Sequence, residues 1–121
     1  MKTTSALAYV GHNANGDRTK NDFYATPSLA TQELLRKEAF NGSLWECACG
    51  DGAISKILIN NGYDVYSSDL INRGYGEQLD FLQSDKKVDN IITNPPFNLS
   101  TEFTLHALKL ASKKIIMLNK L

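Results

Sequence analysis

The sequence predicts an α/β fold built on a doubly wound, mostly parallel sheet. Three observations lead there. Four short apolar runs, at residues 44–48, 65–67, 88–93 and 115–118, are each bounded by turn residues. Stretches with helical spacing of apolar residues lie between the first and second runs and between the third and fourth. The runs are continuously apolar rather than alternating, as expected of parallel strands covered on both faces. Right-handed crossovers then place helices on both sides of the sheet.

In chain order, residues 1–22 are polar and irregular, with Gly-His-Asn-Ala-Asn-Gly-Asp at 11–17, and read as a mobile arm unless a ligand or partner orders them. Residues 23–121 form the folded domain. Thr26 suits an N-cap and Pro27 a first helical turn. Leu29, Ala30, Leu34, Leu35 and Ala39 then recur at helical spacing until Asn41-Gly42. After strand 44–48 comes a helix at 53–60, with Ile54, Ile57 and Leu58 on one face, closed by Asn61-Gly62. Beyond strand 65–67, residues 74–83 suggest a short helix or turn and a minor strand near 79–82. Strand 88–93 leads to a helix at 100–112 striped by Phe103, Ala107, Leu110 and Ala111, and 115–118 is the last strand.

The chain has 121 residues and 13.4 kDa, with 42% hydrophobic and 21% charged residues, enough for one domain with its own core. No apolar run nears the ~20 residues of a membrane span. Met1 to Tyr9 lack the basic and apolar regions of a signal peptide, so a cytoplasmic location is expected. Thirteen basic residues balance thirteen acidic ones, which counts against a nucleic-acid partner, since non-specific DNA affinity comes mainly from Lys and Arg. Cys47 and Cys49, two residues apart in an apolar strand run, read as reduced buried thiols rather than a disulfide. His12 and His106 show no ligand spacing to them, and no metal is expected.

Ligands of such sheets bind at the carboxyl ends of the strands, and the motifs gather there. Glu46-Cys47-Ala48-Cys49-Gly50-Asp51-Gly52 joins a strand to a helix, and its two glycines allow a tight turn and close ligand approach. A pyrophosphate loop would want a third glycine where Ser55 stands, and Glu46 would repel it; Glu46 suits a cationic ligand. Asp69, followed by Leu70, lies near the ~20-residue offset from the glycines at which a carboxylate accepts from ribose hydroxyls. Asp80 can accept from an adenine amino group, and Phe81 can pack on the base or serve the core. At 93–98, Thr-Asn-Pro-Pro-Phe-Asn leaves the sheet rigidly, since two prolines cannot continue a central strand. Asn94 and Pro95 offer two carbonyl acceptors for an amino group, and Phe97 offers a stacking face.

Together, Glu-x-Ala-Cys-Gly-x-Gly, Asp69, Asp80-Phe81 and Asn-Pro-Pro-Phe resemble the S-adenosylmethionine-dependent amino-methyltransferases of DNA. Residues 22–27, Asp-Phe-Tyr-Ala-Thr-Pro, resemble that family's cofactor-covering motif. The resemblance spans 22–121 and implies a Rossmann-like methyltransferase fold. It implies that Glu46, Ala48, Gly50 and Gly52 shape the methionine pocket, closed by Tyr24, Thr26 and Pro27. Asp69 and Leu70 would serve the ribose side, and Asp80 with Phe81 the adenine. Asn94 would touch both cofactor and substrate, and Asn94, Pro95, Pro96 and Phe97 would hold the target base. The implied reaction is methylation of the adenine amino group in DNA, with the base flipped from a duplex. Cytosine amino groups, protein glutamine and RNA guanine are alternative substrates, and a non-catalytic phage or prophage binding module is an alternative of another class.

Two departures stand out. Cys47 replaces a frequent proline. The family's further strands and DNA-reading region do not follow 115–118, so the resemblance implies a C-terminally truncated form, or one that borrows its reading surface from a partner or second copy. That would also account for the neutral charge. The apolar strand 115–118 at a sheet edge is then expected to invite self-association.

Overall fold

A computed structural model describes residues 3–9 and 25–120, with side chains for 25–118. In chain order the elements are β1 (Thr3–Tyr9), α1 (Ser28–Lys37), β2 (Leu44–Glu46), α2 (Ala53–Asn60), β3 (Val65–Asp69), β4 (Glu77–Gln78), β5 (Val88–Thr93), α3 (Ser100–Leu110) and β6 (Ala111–Lys120). Single 3₁₀ turns occupy Phe81–Gln83 and Phe97–Leu99.

The strands form one sheet in the order β1-β6-β5-β2-β3-β4. Every pairing is parallel: five strands carry the sheet, and the two-residue β4 extends one edge. Order reverses between β2 and β5. From β2 the chain winds outward through α2 to β3, and from β5 it winds the other way through α3 to β6. Right-handed crossovers in opposite directions put α2 and α3 on opposite faces.

The two faces explain the continuous apolar strands. Trp45, Ile91, Ile115 and Met117 join Phe81, Phe103, Ala107 and Leu110 in one core under α3. Their strand neighbours Leu44, Ile92, Ile116 and Leu118 join Leu34, Ile54 and Leu58 under α1 and α2. Adjacent residues thus feed opposite cores, as the strand period of two requires. An α/β fold with a parallel sheet and helices on both faces is therefore present.

Several expectations change. Helix α1 starts at Ser28 with Pro27 at its N-cap and no side-chain cap, because Thr26 turns its hydroxyl elsewhere, as described below. It ends at Lys37, short of Asn41-Gly42. The minor strand precedes the short helical turn rather than following it: Glu77–Gln78 pairs with β3, and Asp80 then caps the turn by accepting from the Leu82 N–H at 3.1 Å.

The larger change concerns the arm. Thr3–Tyr9 is not irregular but an edge strand, paired with β6 from Thr3↔Lys114 to Tyr9↔Lys120. Strand β6 is thus internal to the sheet, between β1 and β5. Its backbone groups find partners within the chain, and this removes the exposed apolar edge on which self-association was expected. The rest of the expected arm, residues 1–2 and 10–22, lies outside the described residues.

Candidate functional site

The reversal of strand order brings the ends of β2 and β5 side by side, and a hydroxyl–carboxyl cluster fills the gap. Glu46, the last residue of β2, is fully buried. Thr93, the last residue of β5, donates from Oγ1 to Glu46 Oε2 at 2.9 Å and accepts the Ala48 N–H at 3.0 Å. Ser55, on the first turn of α2, donates to Glu46 Oε1 at 3.1 Å and shares a 2.7 Å hydrogen bond with Ser67 of β3. One carboxyl thus ties three strands and a helix together. Burial pushes its pKa from 4.5 up to about 8; the hydroxyl bonds oppose that rise and the charge of Asp69 adds to it. Glu46 therefore lies beneath the glycine turn, with both oxygens engaged. It has no exposed surface at which the expected cationic ligand could meet it.

Above it, residues 47–52 turn into α2. Gly50 and Gly52 have φ of 55° and 91°, left-handed values that glycine adopts without strain. Asp69, at the end of β3, accepts the Gly50 N–H at Oδ2 (2.8 Å) and the Ile71 N–H at Oδ1 (3.0 Å). The two motifs assigned to ribose and methionine are thus in direct contact. Leu70 beside Asp69 is 54% exposed, an apolar face at the rim. The Cys49 thiol is pushed up to about 12, by burial first and then by Glu46, Asp69 and Asp51. Asp51 in the turn and Asp69 against it place two acidic side chains at this strand end.

Gly52 differs from expectation. A Cβ there would lie 2.7 Å from the ring of Tyr75, so an aromatic side chain of the same molecule occupies the space the missing side chain leaves. Phe81 differs too. Its ring is 1% exposed and packs against Trp45, Phe103 and His106 at centroid distances of 5.1, 4.9 and 5.1 Å. It is a core residue, drawn inward by the aromatic set beneath α3, and leaves no face for a base. Asp80 is exposed at the mouth of its turn.

The third motif forms the opposite wall. Asn94 donates from Nδ2 to Thr26 Oγ1 at 3.0 Å, joining residues 68 positions apart. Thr26 is buried, and Pro27 follows it at the head of α1. Pro95 is buried and Pro96 half-buried; Phe97 stands 59% exposed. Tyr24 lies outside the described residues. The structure thus brings together Thr26, Glu46, Ala48, Gly50, Asp69, Leu70 and Asn94 to Phe97 at one end of the sheet.

The chain matches no family model and no curated protein. No helix among the described residues is long and apolar enough to cross a membrane. An open groove of about 620 Å³ lies at the other end of β5 and β6, lined by Ser43, Lys87, Asp89, Lys109 and Ser112 among others. Asp89 there accepts from Ser43 and Ser112, and Lys87 donates to the Lys109 carbonyl, so these polar groups satisfy one another.

Residues that sequence reasoning passed over are Ser55, Ser67, Thr93 and Tyr75. The first three are ordinary hydroxyls whose convergence on Glu46 only the strand order reveals. For Tyr75 a signal exists: it stands between Gly74 and Gly76, an arrangement that marks a shaped turn.

Proposed function

We propose that the chain binds S-adenosylmethionine and transfers its methyl group to an exocyclic amino group, that of adenine in DNA. The observation that carries this is the convergence at one end of the sheet of a glycine turn, a strand-end carboxylate in contact with it, and the Asn94–Phe97 turn. Asp51 and Asp69 beside the turn suit a sulfonium and ammonium ligand better than a pyrophosphate. S-adenosylmethionine would supply an already activated methyl group, so the protein's task is positioning. Asp69 would exchange part of its bond to Gly50 for ribose hydroxyls, and Leu70 would pack against the adenine.

The bond to Thr26 fixes the plane of the Asn94 amide. Its carbonyl, with that of Pro95, would accept the two protons of the target amino group. This draws the nitrogen lone pair out of conjugation and toward the methyl carbon. The N–C bond forms as the S–C bond breaks with its electron pair on sulfur, and the amino nitrogen then releases a proton. Phe97 would stack on the base.

The test combines calorimetry with S-adenosylmethionine and a tritiated-methyl assay on unmethylated DNA. Wild type is expected to bind and to transfer. Asn94→Ala should bind S-adenosylmethionine like wild type while transferring on the order of 10²–10³-fold more slowly, the usual cost of removing one oriented polar contact to the reacting group. Wild-type binding without transfer would leave a binding module, and absence of both would end the reading.

A further inference from the structure

The glycine turn is held from a side that none of the three motifs accounts for. Between β3 and β4 the chain passes through Gly74-Tyr75-Gly76, where both glycines have left-handed φ, 87° and 75°. These two points fold the segment back across the start of α2. There the Tyr75 ring lies flat against Gly52: a Cβ on Gly52 would sit 2.7, 2.8 and 2.8 Å from three of its ring carbons. The Lys56 ammonium, one helical turn beyond Gly52, stands 5.2 Å from the ring centroid. The backbone is tied as well. Cys49 Sγ donates to the Tyr75 carbonyl at 3.5 Å, and Gly76 packs so closely that a Cβ would meet Ser67 O at 2.8 Å and Cys49 Sγ at 2.9 Å.

We propose that Tyr75 is a positioning residue of the glycine turn: its ring braces Gly52, and its carbonyl holds Cys49, so that the turn, with Gly50 and Gly52 in their left-handed conformation, is set before a ligand arrives. The inference deepens the S-adenosylmethionine reading and rests on it for the ligand, while the bracing itself is a property of the free chain. The argument is one of cost. Glycines at 50 and 52 are the residues with most conformational freedom to lose, and a turn left loose would have to be ordered at the expense of ligand affinity. Asp69 restrains Gly50 through one hydrogen bond. Gly52 lies beyond that bond; its N–H donates to the Cys49 carbonyl at 2.8 Å and its carbonyl accepts the Lys56 N–H at 2.9 Å, and the flat face of Tyr75 closes the side where a Cβ would stand. A planar ring is needed rather than mere bulk, because the contact is a ring face laid on a bare Cα. The hydroxyl has no part in it.

The experiment compares wild type with Tyr75→Phe, Tyr75→Leu and Tyr75→Ala by amide hydrogen exchange and by calorimetry with S-adenosylmethionine. In the free protein, Tyr75→Ala and Tyr75→Leu should speed exchange at residues 49–53 about tenfold, with the β5 and β6 amides unchanged. Tyr75→Phe should restore wild-type protection. The dissociation constant for S-adenosylmethionine should rise about tenfold in the Ala and Leu variants and stay near wild type in Phe. Wild-type exchange in Tyr75→Ala, a failure of Phe to restore protection, or equal acceleration across the whole sheet would overturn the proposal. If wild type binds no S-adenosylmethionine, the functional reading fails, and the exchange comparison alone still decides the role of Tyr75.

Discussion

The two walls of the crevice are built on opposite principles. The wall made by the ends of β2 and β3 is closed on itself: Glu46 is held by Thr93 and Ser55, Gly50 by Asp69, and Gly52 by Tyr75. The wall made by the end of β5 is open, with Phe97 more than half exposed and Asn94 tied across to Thr26. A closed wall has its shape fixed in advance and suits a ligand that always arrives in the same form. An open wall suits the separate, larger substrate proposed above. Substitutions in the closed wall and its support should therefore register as lost stability, of the whole fold or of the glycine turn alone, and those in the open wall as loss of the proposed function with the fold intact.

The largest expected effect tests the support. Phe81→Ala removes the ring that Trp45, Phe103 and His106 surround, and should cost about 3–5 kcal/mol, as other buried Phe truncations do. Urea denaturation measures it; a loss below about 1 kcal/mol would mean that the ring faces the crevice after all.

Glu46 gives the next effect. Its folded pKa, about 8, lies above the ordinary 4.5. The folded state thus holds its proton more tightly than the unfolded chain, so this contribution to stability is full below 4.5 and is lost as pH rises through 8. Melting temperatures followed from pH 5 to 9 should fall in wild type, and Glu46→Gln should flatten the decline. Truncation to Glu46→Ala should instead cost about 1–3 kcal/mol, because it strands the buried hydroxyls of Thr93 and Ser55.

Phe97→Ala tests the open wall and should have the smallest effect on stability, below about 1 kcal/mol, because the residue is more than half exposed. Its effect belongs to the substrate: affinity for single-stranded DNA, followed by fluorescence anisotropy, should weaken by about 1–3 kcal/mol, the value of a stacked base. A large loss of stability with unchanged DNA affinity would erase the contrast between the walls.

Much of this was legible in the sequence. Helix 53–60 and strand 88–93 lie where the periodicity and turn residues put them, because both are flanked by strong breakers, Gly52 and Gly62 in one case and Asn94-Pro95-Pro96 in the other. Motifs at strand ends were also readable, since parallel topology delivers every strand end to one edge. Three kinds of information were not. Phe81 could be read as core or as ligand contact, and only its neighbours from α3, distant in sequence, decide for the core. Glu46 was assigned to a ligand because nothing local shows that Thr93 and Ser55 reach it first. Thr3–Tyr9 carries too little apolar pattern to announce a strand; its structure comes from β6, a partner at the other end of the chain.

That last pairing bears on how the molecule comes to be folded. Thr3 is aligned with Lys114, so nearly the whole chain must be made before its first strand can find its place. Until then β6 has not been synthesised and β1 has no template, whereas β2, α2 and β3 can already assemble from neighbouring segments. Contacts so distant in sequence form slowly, because the intervening loop must be closed before the pairing rewards it. The sheet should therefore grow outward from β2 and gain its β1 edge last, leaving β6 briefly uncovered in the nascent protein and open to intermolecular pairing during that interval.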